Sequence, residues 1–125
     1  MAGKLVALAV AGALGTLTRY ALGGIVQRIC GGTFPWGTMV VNSLGCFLFG
    51  LVWVLAEERM RISPEIRLIV LVGFMGAFTT FSTLVFETQT LMRDSQWLLA
   101  AGKYLGQSVL GVALLLLGMA LGKLL

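Results

Sequence analysis

Histidine is absent from this 125-residue sequence, and cysteine, proline and acidic residues are scarce. Without histidine there are no imidazole bases, no Ser-His-Asp triads and no histidine-ligated metals, which excludes most common catalytic chemistry. The two cysteines, Cys30 and Cys46, form neither a CxxC pair nor a ligand set and are predicted to be small apolar filler. Nine basic and five acidic residues give a net charge of +4 that is scattered along the chain, which does not favour nucleic-acid binding. The sequence predicts a protein that is not an enzyme.

Apolar side chains, by contrast, are in large excess. Hydrophobic residues make up 58% of the chain and charged residues 11%, and the mean hydropathy is +0.98. A globule of this length has too much surface for its volume to bury so many apolar groups, so lipid must solvate much of it. We therefore predict an all-α membrane protein with a single domain over residues 1–125.

Four apolar runs are each long enough for a membrane-spanning helix, which needs about 20 residues. They cover Leu5–Val26, Gly37–Ala56, Leu68–Phe86 and Trp97–Gly122. Because Ser63-Pro64-Glu65 is typical of a helix start, four helices are predicted over about 5–26, 37–56, 65–90 and 97–122. The first run begins like a signal peptide but continues into further membrane sequence, so we interpret it as a retained helix. Short connections favour antiparallel neighbours.

Basic residues are almost evenly divided between the two predicted sides of the membrane. The five on one side and the four on the other are Lys4, Arg59, Arg61, Arg67 and Lys123 against Arg19, Arg28, Arg93 and Lys103. The positive-inside rule then has little bias to act on, so the chain could insert in both orientations and pair with an inverted copy. Counting only loop charges gives a weak preference for one orientation, and both topologies stay open at this point.

The third run contains the densest intramembrane polar segment, Gly73–Thr83, with four hydroxyl residues in its last five positions. Next to two glycines, these residues favour a helix interrupted near its midpoint, whose free carbonyls could coordinate a cation. The alternative is an intact helix in which each hydroxyl bonds back to the preceding turn.

Other hydrogen-bond donors follow two helical faces. Thr38 and Asn42 are four residues apart on the second helix, and Tyr104 and Ser108 on the fourth. No carboxylate lies in the centre of any run, so the donor set suits an anion that moves without proton coupling.

Three charged residues lie nearer to the predicted helix ends. Arg19 either snorkels to the interface or provides a vestibule charge that attracts anions, whereas Lys103 is predicted to snorkel. Glu87 is either an interfacial residue or a partner for a basic group. Gly102-x-x-x-Gly106 and Gly118-x-x-x-Gly122 have the spacing for close helix packing, and a compact bundle leaves room for a transport path mainly between two chains.

Together these motifs resemble those of the Fluc (CrcB) family of fluoride channels over essentially the whole chain. The matching segments are Thr18-Arg19-Tyr20, Pro35-Trp36-Gly37-Thr38 with Val41-Asn42, Gly73–Thr83 with Glu87-Thr88, and Tyr104 with Ser108. The resemblance implies four transmembrane helices with a broken third helix, in an antiparallel dual-topology homodimer. It also implies a multi-pass protein of the bacterial inner membrane that exports fluoride passively and selectively, through two pores at the dimer interface, and so relieves fluoride toxicity.

The resemblance also implies roles for individual residues. A structural sodium ion at the centre would be bound by the backbone carbonyls of Gly76 and Thr79 from each chain. The fluoride pore would be lined by Asn42, Phe81, Tyr104, Ser108, Thr38, Thr80, Ser82 and Thr83, with Arg19 in the vestibule and Glu87 at the pore end.

Two positions depart from the family pattern. Ala77 replaces the second glycine of the third-helix motif, and Leu84 replaces the second phenylalanine of the TTFSTF segment. The pair of aromatic rings that would face fluoride is therefore incomplete, because a phenylalanine ring edge is electropositive and a leucine side chain is not.

Two other functions remain as alternatives. A small dual-topology multidrug exporter needs a membrane-embedded carboxylate, usually in its first helix, and none is present there. A non-transporting membrane assembly subunit needs only glycine-rich packing faces. Passive release of fluoride from liposomes, with chloride retained, would separate the channel from both.

Overall fold

The computed structural model describes residues 1–59 and 62–125, which form an all-helical fold. Within these residues the α-helices are α1 (Ala2–Cys30), α2 (Trp36–Val54), α3 (Pro64–Leu68), α4 (Gly76–Phe78), α5 (Phe81–Arg93) and α6 (Trp97–Leu124). π-Helical stretches continue α2 through Leu55–Arg59 and join α3 to α4 through Ile69–Met75. Arg61, one of the basic residues in the topology count, lies outside the described residues.

Four helical segments of the described chain are long and apolar enough to cross a membrane. They are Ala2–Cys30, Trp36–Glu58, Pro64–Arg93 and Trp97–Leu124. Their most apolar stretches have mean hydropathies between 1.6 and 2.1, yet at most 39% of any stretch is buried within the chain. Most of this apolar surface is left for lipid or for another subunit. The prediction of an all-helical protein with four spans is confirmed.

The helix ends follow local backbone chemistry. α1 continues to Cys30 and stops at Gly31 and Gly32, whose φ angles of +64° and +74° suit glycine and no longer fit a right-handed helix. At the start of the third span, the Ser63 hydroxyl accepts a hydrogen bond from the Ile66 N–H at 3.3 Å, so this N-cap forms as the sequence predicts.

The second and fourth spans run parallel and in contact along most of their length. The Lys103 ammonium donates to the Pro35 carbonyl at one end, and Gly122 packs against Val54 at the other. Since one span intervenes between them in the chain, neighbouring spans are antiparallel, as the short connections predict.

This close contact depends on glycine. A Cβ atom at Gly50 would collide with the Leu115 carbonyl, and one at Gly118 would collide with the Phe47 carbonyl. Gly122 completes the second predicted glycine motif and also lies against α2. The backbones of α2 and α6 can approach this closely only because these positions lack side chains.

The other predicted glycine motif points away from the rest of the chain. A Cβ atom at Gly102 or at Gly106 would meet nothing within 4 Å. Among the described residues, these two positions of α6 therefore make no close contact with another helix.

The backbone of the third span changes conformation near its middle. α4 ends at Phe78, and Thr79 (φ −91°, ψ 159°) and Thr80 (φ −150°, ψ 114°) have extended backbones before α5 begins at Phe81. The Thr80 hydroxyl then caps α5 by accepting from the Thr83 N–H at 3.2 Å. The two extended residues lie in the middle of a segment long enough to cross a membrane.

A small apolar core lies directly beside the extended residues. Val41 of α2 packs with Leu71, Met75 and Phe78 of the third span. The Phe78 ring is stacked on Phe74 at 5.8 Å and is only 2% exposed. This core fixes the end of α4 against α2, so the extended segment starts from a defined position.

Candidate functional site

Asn42 holds the extended segment through both halves of its amide. Its Nδ2 donates to the Thr80 carbonyl at 2.9 Å, and its Oδ1 accepts from the Thr80 N–H at 2.8 Å. Asn42 is buried on α2, so both polar groups of Thr80 are satisfied by a side chain where water is excluded. Only one of the two Nδ2 hydrogens is used in this clamp, and the other remains for a further acceptor.

This clamp changes which carbonyls of the third span have partners. In a continuous helix the Thr80 N–H would donate to the Gly76 carbonyl, and the Thr83 N–H would donate to the Thr79 carbonyl. Here these donors turn to Asn42 Oδ1 and to Thr80 Oγ1 instead. The carbonyls of Gly76 and Thr79 are thereby released from the helical pattern.

Arg19 satisfies a different carbonyl of the same segment. Its Nε donates to the Ala77 carbonyl at 3.0 Å, across the contact between α1 and α4. The positive guanidinium group is also favoured at the C-terminal end of α4, because this end of the helix dipole is negative. The structure therefore places the predicted vestibule charge beside the extended segment.

Predicted pore residues meet in a groove of about 450 Å³ between α2, the extended segment and α6. Its lining is formed by Asn42, Gly45, Cys46, Phe49, Thr79, Thr80, Phe81, Leu84, Gln107, Ser108, Gly111, Val112 and Leu115. The groove is a mostly apolar wall with a few convergent polar groups, which is the usual composition of a small-ligand site.

The two positions of the aromatic motif differ in their environment. Phe81 is 66% exposed and presents its ring to the outside of the chain, whereas Leu84 is 4% exposed and belongs to the packed interior. Phe78 is buried in the core and Phe86 is exposed. Of the four, only Phe81 and Leu84 line the groove, so Phe81 is its sole phenylalanine ring from this motif.

The remaining predicted pore residues lie outside the groove lining. Ser82 and Thr83 form a hydroxyl cluster with Thr80, whose Oγ1 is 3.3 Å from Ser82 Oγ and 3.0 Å from Thr83 Oγ1. Tyr104 is partly exposed on α6, and its carbonyl accepts from the Ser108 hydroxyl at 2.7 Å. Ser108 must therefore turn its hydroxyl before it can donate to a ligand in the groove.

Thr38 belongs to a second polar cluster together with Glu87 and Lys103. The Thr38 hydroxyl donates to Glu87 Oε1 at 2.6 Å, and Lys103 Nζ lies 3.2 Å from Glu87 Oε2. Of the two sequence interpretations of Glu87, the structure favours a partner for a basic group.

The expectation that Lys103 snorkels is wrong. Its side chain is 0% exposed, and its ammonium donates to the Pro35 carbonyl at 2.9 Å beneath the connection between α1 and α2. The ammonium is also 5.5 Å from the centre of the Phe34 ring. Periodicity could not predict this burial, because it depends on how the α1–α2 connection folds over the first turns of α6.

Gln107 was not identified from the sequence. It is buried between α2 and α6, where its Nε2 donates to the Met39 carbonyl at 3.1 Å and approaches Ser43 Oγ at 3.5 Å. Gln107 is four residues from Lys103 and therefore lies on the same helical face. This spacing was the feature of the sequence that could have identified it.

The chain is similar to known proteins along most of its length. Residues 6–119 match the family model described as CrcB-like protein, Camphor Resistance (CrcB). The chain is 60% identical over 121 residues to a protein of Nitrosococcus oceani named fluoride-specific ion channel FluC, covering 97% of each chain. It is 54% identical over 121 residues to proteins with the same name from Nitratidesulfovibrio vulgaris strain Miyazaki F and Solidesulfovibrio magneticus. These matches cover 97% of this chain and 98% and 97% of the respective relatives.

The match extends through all four membrane-capable segments and includes both the extended residues and the groove. With four such segments, the chain is a multi-pass membrane protein. On the extent of the match and the identity to its relatives, it belongs to the CrcB family.

Proposed function

We propose that this chain is a passive, fluoride-selective ion channel and not an enzyme. The observation that carries the proposal is the 60% identity, over 97% of both chains, to a relative named as a fluoride-specific ion channel. The groove is consistent with this assignment, because it combines apolar walls with the Asn42 amide, the Ser108 hydroxyl and the exposed Phe81 ring.

The groove chemistry suits a small, strongly hydrated anion. Fluoride loses its water on entering a dry path, so the wall must provide close hydrogen-bond donors in replacement. The free Nδ2 hydrogen of Asn42 and the hydroxyl of Ser108 are such donors, and the electropositive edge of Phe81 adds a weaker attraction. Each group offers partial positive charge without a full charge that would trap the ion.

The functional unit in this proposal is an antiparallel homodimer with one pore on each side of the interface. Phe81 lines the groove and yet exposes most of its side chain to the outside of the single chain. A second copy of the chain would complete the wall of the groove. The small residues Gly102 and Gly106 would let its helices approach α6 closely. The even division of basic residues makes insertion in both orientations compatible with the membrane.

A sodium ion at the interruption of the third span belongs to the same proposal. The carbonyls of Gly76 and Thr79 are the ones released from the helical pattern, and Gly76 is exposed on the outside of the chain. Neutral carbonyls from two chains suit a monovalent cation better than calcium, which prefers charged oxygens. When bound, the cation supplies a fixed positive charge in a low-dielectric setting.

The biological role that fits this activity is fluoride export across a bacterial inner membrane. Hydrogen fluoride crosses membranes as a neutral molecule and ionises inside the cell, so fluoride accumulates there. A passive channel lets the anion leave down its electrochemical gradient and relieves its toxicity.

Fluoride efflux from liposomes tests the proposal directly. Purified protein in potassium fluoride-loaded vesicles should release fluoride, measured with an ion-selective electrode, when valinomycin lets potassium follow. Vesicles loaded with potassium chloride should retain chloride under the same conditions. Equal release of both anions, or none of either by a folded dimer, would refute the channel.

Sodium removal tests the cation separately. Purification and assay in N-methylglucamine without sodium should weaken the dimer and lower fluoride flux, and added sodium should restore both. A dimer that remains stable and active with no bound sodium, measured by atomic emission, would contradict this part of the proposal alone.

A further inference from the structure

An ion pair between a fully buried lysine and a partly buried glutamate connects three parts of the chain near one end of the bundle. Lys103 of α6 lies 3.2 Å from Glu87 Oε2 of α5, and Thr38 of α2 donates to Glu87 Oε1 at 2.6 Å. The Lys103 side chain is fully buried, and the Glu87 side chain is 20% exposed. Burying either charge without the other would be strongly unfavourable, so the two are held as a unit.

The ammonium has little freedom to leave this position. It donates to the Pro35 carbonyl at 2.9 Å and faces the Phe34 ring at 5.5 Å, both in the connection between α1 and α2. Apart from the ion pair with Lys103 at 3.2 Å, Glu87 Oε2 has no hydrogen-bond partner among the described residues. Lys103 is therefore the group that compensates the charge of this oxygen.

The pair lies next to the proposed path. Thr80 is the N-cap of α5, and its Oγ1 lies 3.0 Å from Thr83 Oγ1. Glu87 follows Thr83 by four residues on the same face of α5, so the carboxylate ends the line of hydroxyls that begins at the groove. Thr38 lies one helical turn from Asn42 on α2. An anion moving along these hydroxyls would meet the Glu87 carboxylate at the end.

We propose that Lys103 is the counter-charge that allows an anion to pass Glu87. An unneutralised carboxylate in a low-dielectric path would repel fluoride, whereas the adjacent ammonium cancels most of this field and holds the carboxylate in one position. Lys103 is thus a positioning residue that acts through Glu87. This inference rests on the proposed fluoride flux.

Lys103→Gln separates the charge from the hydrogen bond, because glutamine keeps a donor for the Pro35 carbonyl. Its fluoride efflux per dimer should fall about tenfold or more, since charge effects are large in a low-dielectric medium. Lys103→Arg keeps the charge and should keep flux within about threefold of the wild type.

The double variant Lys103→Gln with Glu87→Gln removes both charges and should recover most of the flux lost in the single variant. Replacement of a whole buried ion pair by neutral groups is often tolerated, so this protein should form the dimer even if Lys103→Gln alone does not. Arg93→Gln is the matched control, because Arg93 has the same charge on the same predicted side and is exposed. It should leave flux unchanged.

Each outcome has a defined meaning. Full flux in Lys103→Gln, or a dimeric double variant with no flux, overturns the role of Lys103. Loss in Lys103→Gln together with recovery in the double variant supports it. The wild type in the same assay tests the channel itself, so failure of the proposed function would appear there first.

Discussion

The amide of Asn42 forms two hydrogen bonds with the backbone of a single residue, Thr80: Nδ2 donates to its carbonyl at 2.9 Å, and Oδ1 accepts from its N–H at 2.8 Å. Asn42, which the sequence predicts as a pore residue for its donor group, is therefore also the side chain that holds the extended backbone of Thr80. The same side chain decides which backbone carbonyls lack helical partners and which donor remains for an anion.

Asn42→Asp should nearly abolish fluoride efflux. Aspartate still accepts from the Thr80 N–H, but its second oxygen faces the Thr80 carbonyl, and its charge repels the anion. Leaving one buried carbonyl without a donor already costs about 1–3 kcal/mol, so flux should fall at least about tenfold. Liposome efflux normalised to dimer measures this, with Gln89→Glu as a control for the same change at an exposed position. Near-normal flux in Asn42→Asp would show that the amide has neither role.

Phe81 and Leu84 should respond differently to truncation. Phe81→Ile removes the exposed ring edge and should reduce flux about tenfold with little effect on stability, because edge contacts contribute about 0.5–1.5 kcal/mol. Leu84→Ala should instead lower stability by about 2–5 kcal/mol, since it leaves a cavity at a buried site. Its flux per folded dimer should remain well above that of Phe81→Ile. For each variant, liposome efflux measures the flux and thermal unfolding in detergent measures the stability. Equal loss of flux in the two folded dimers would contradict the separate roles of Phe81 and Leu84.

Gly118→Ala should destabilise the chain by about 1–3 kcal/mol through overpacking, because its Cβ atom would press on the Phe47 carbonyl of α2. Gly24→Ala is the control, since its Cβ atom would meet nothing within 4 Å. Thermal unfolding in detergent should give a lower midpoint for Gly118→Ala and an unchanged or slightly higher one for Gly24→Ala. The reverse order would mean that α2 and α6 are not in this contact in the membrane.

Cys30 provides a natural reporter of orientation, because it is exposed at the end of α1. In a Cys46→Ser background with confirmed flux, a membrane-impermeant maleimide applied to sealed vesicles should label about half of the chains if insertion is dual. Detergent should then expose the rest. Labelling of all chains or none before detergent would contradict dual topology.

Extra loop charges test whether both orientations are needed. Two lysines added to the α1–α2 connection should force a single orientation and abolish flux, because the positive-inside rule then has a strong bias. Co-expression with a copy biased in the opposite sense should restore flux. Activity from one forced orientation alone would exclude the antiparallel dimer.

The sequence by itself determined that this protein lies in a membrane and that it has four helical spans. Four apolar runs and few charges require lipid and predict four helices, because a chain of this length cannot bury that much apolar surface on its own. The local chemistry of Ser63 and Pro64 predicted a helix start, and the hydroxyl-rich segment at Thr79–Thr83 favoured an interruption, since both effects depend on neighbouring residues.

Only the tertiary structure decided which distant groups meet. Sequence spacing placed Asn42 on a helical face, but its partners in Thr80 come from another span, and nothing local predicts that pairing. The same holds for Lys103, which would snorkel on an isolated helix and is buried here because the α1–α2 connection covers it and Glu87 neutralises it. The periodicity of a sequence predicts which residues share one face of a helix. Whether a buried charge or a free carbonyl finds a partner depends on how neighbouring helices are aligned, which periodicity does not contain.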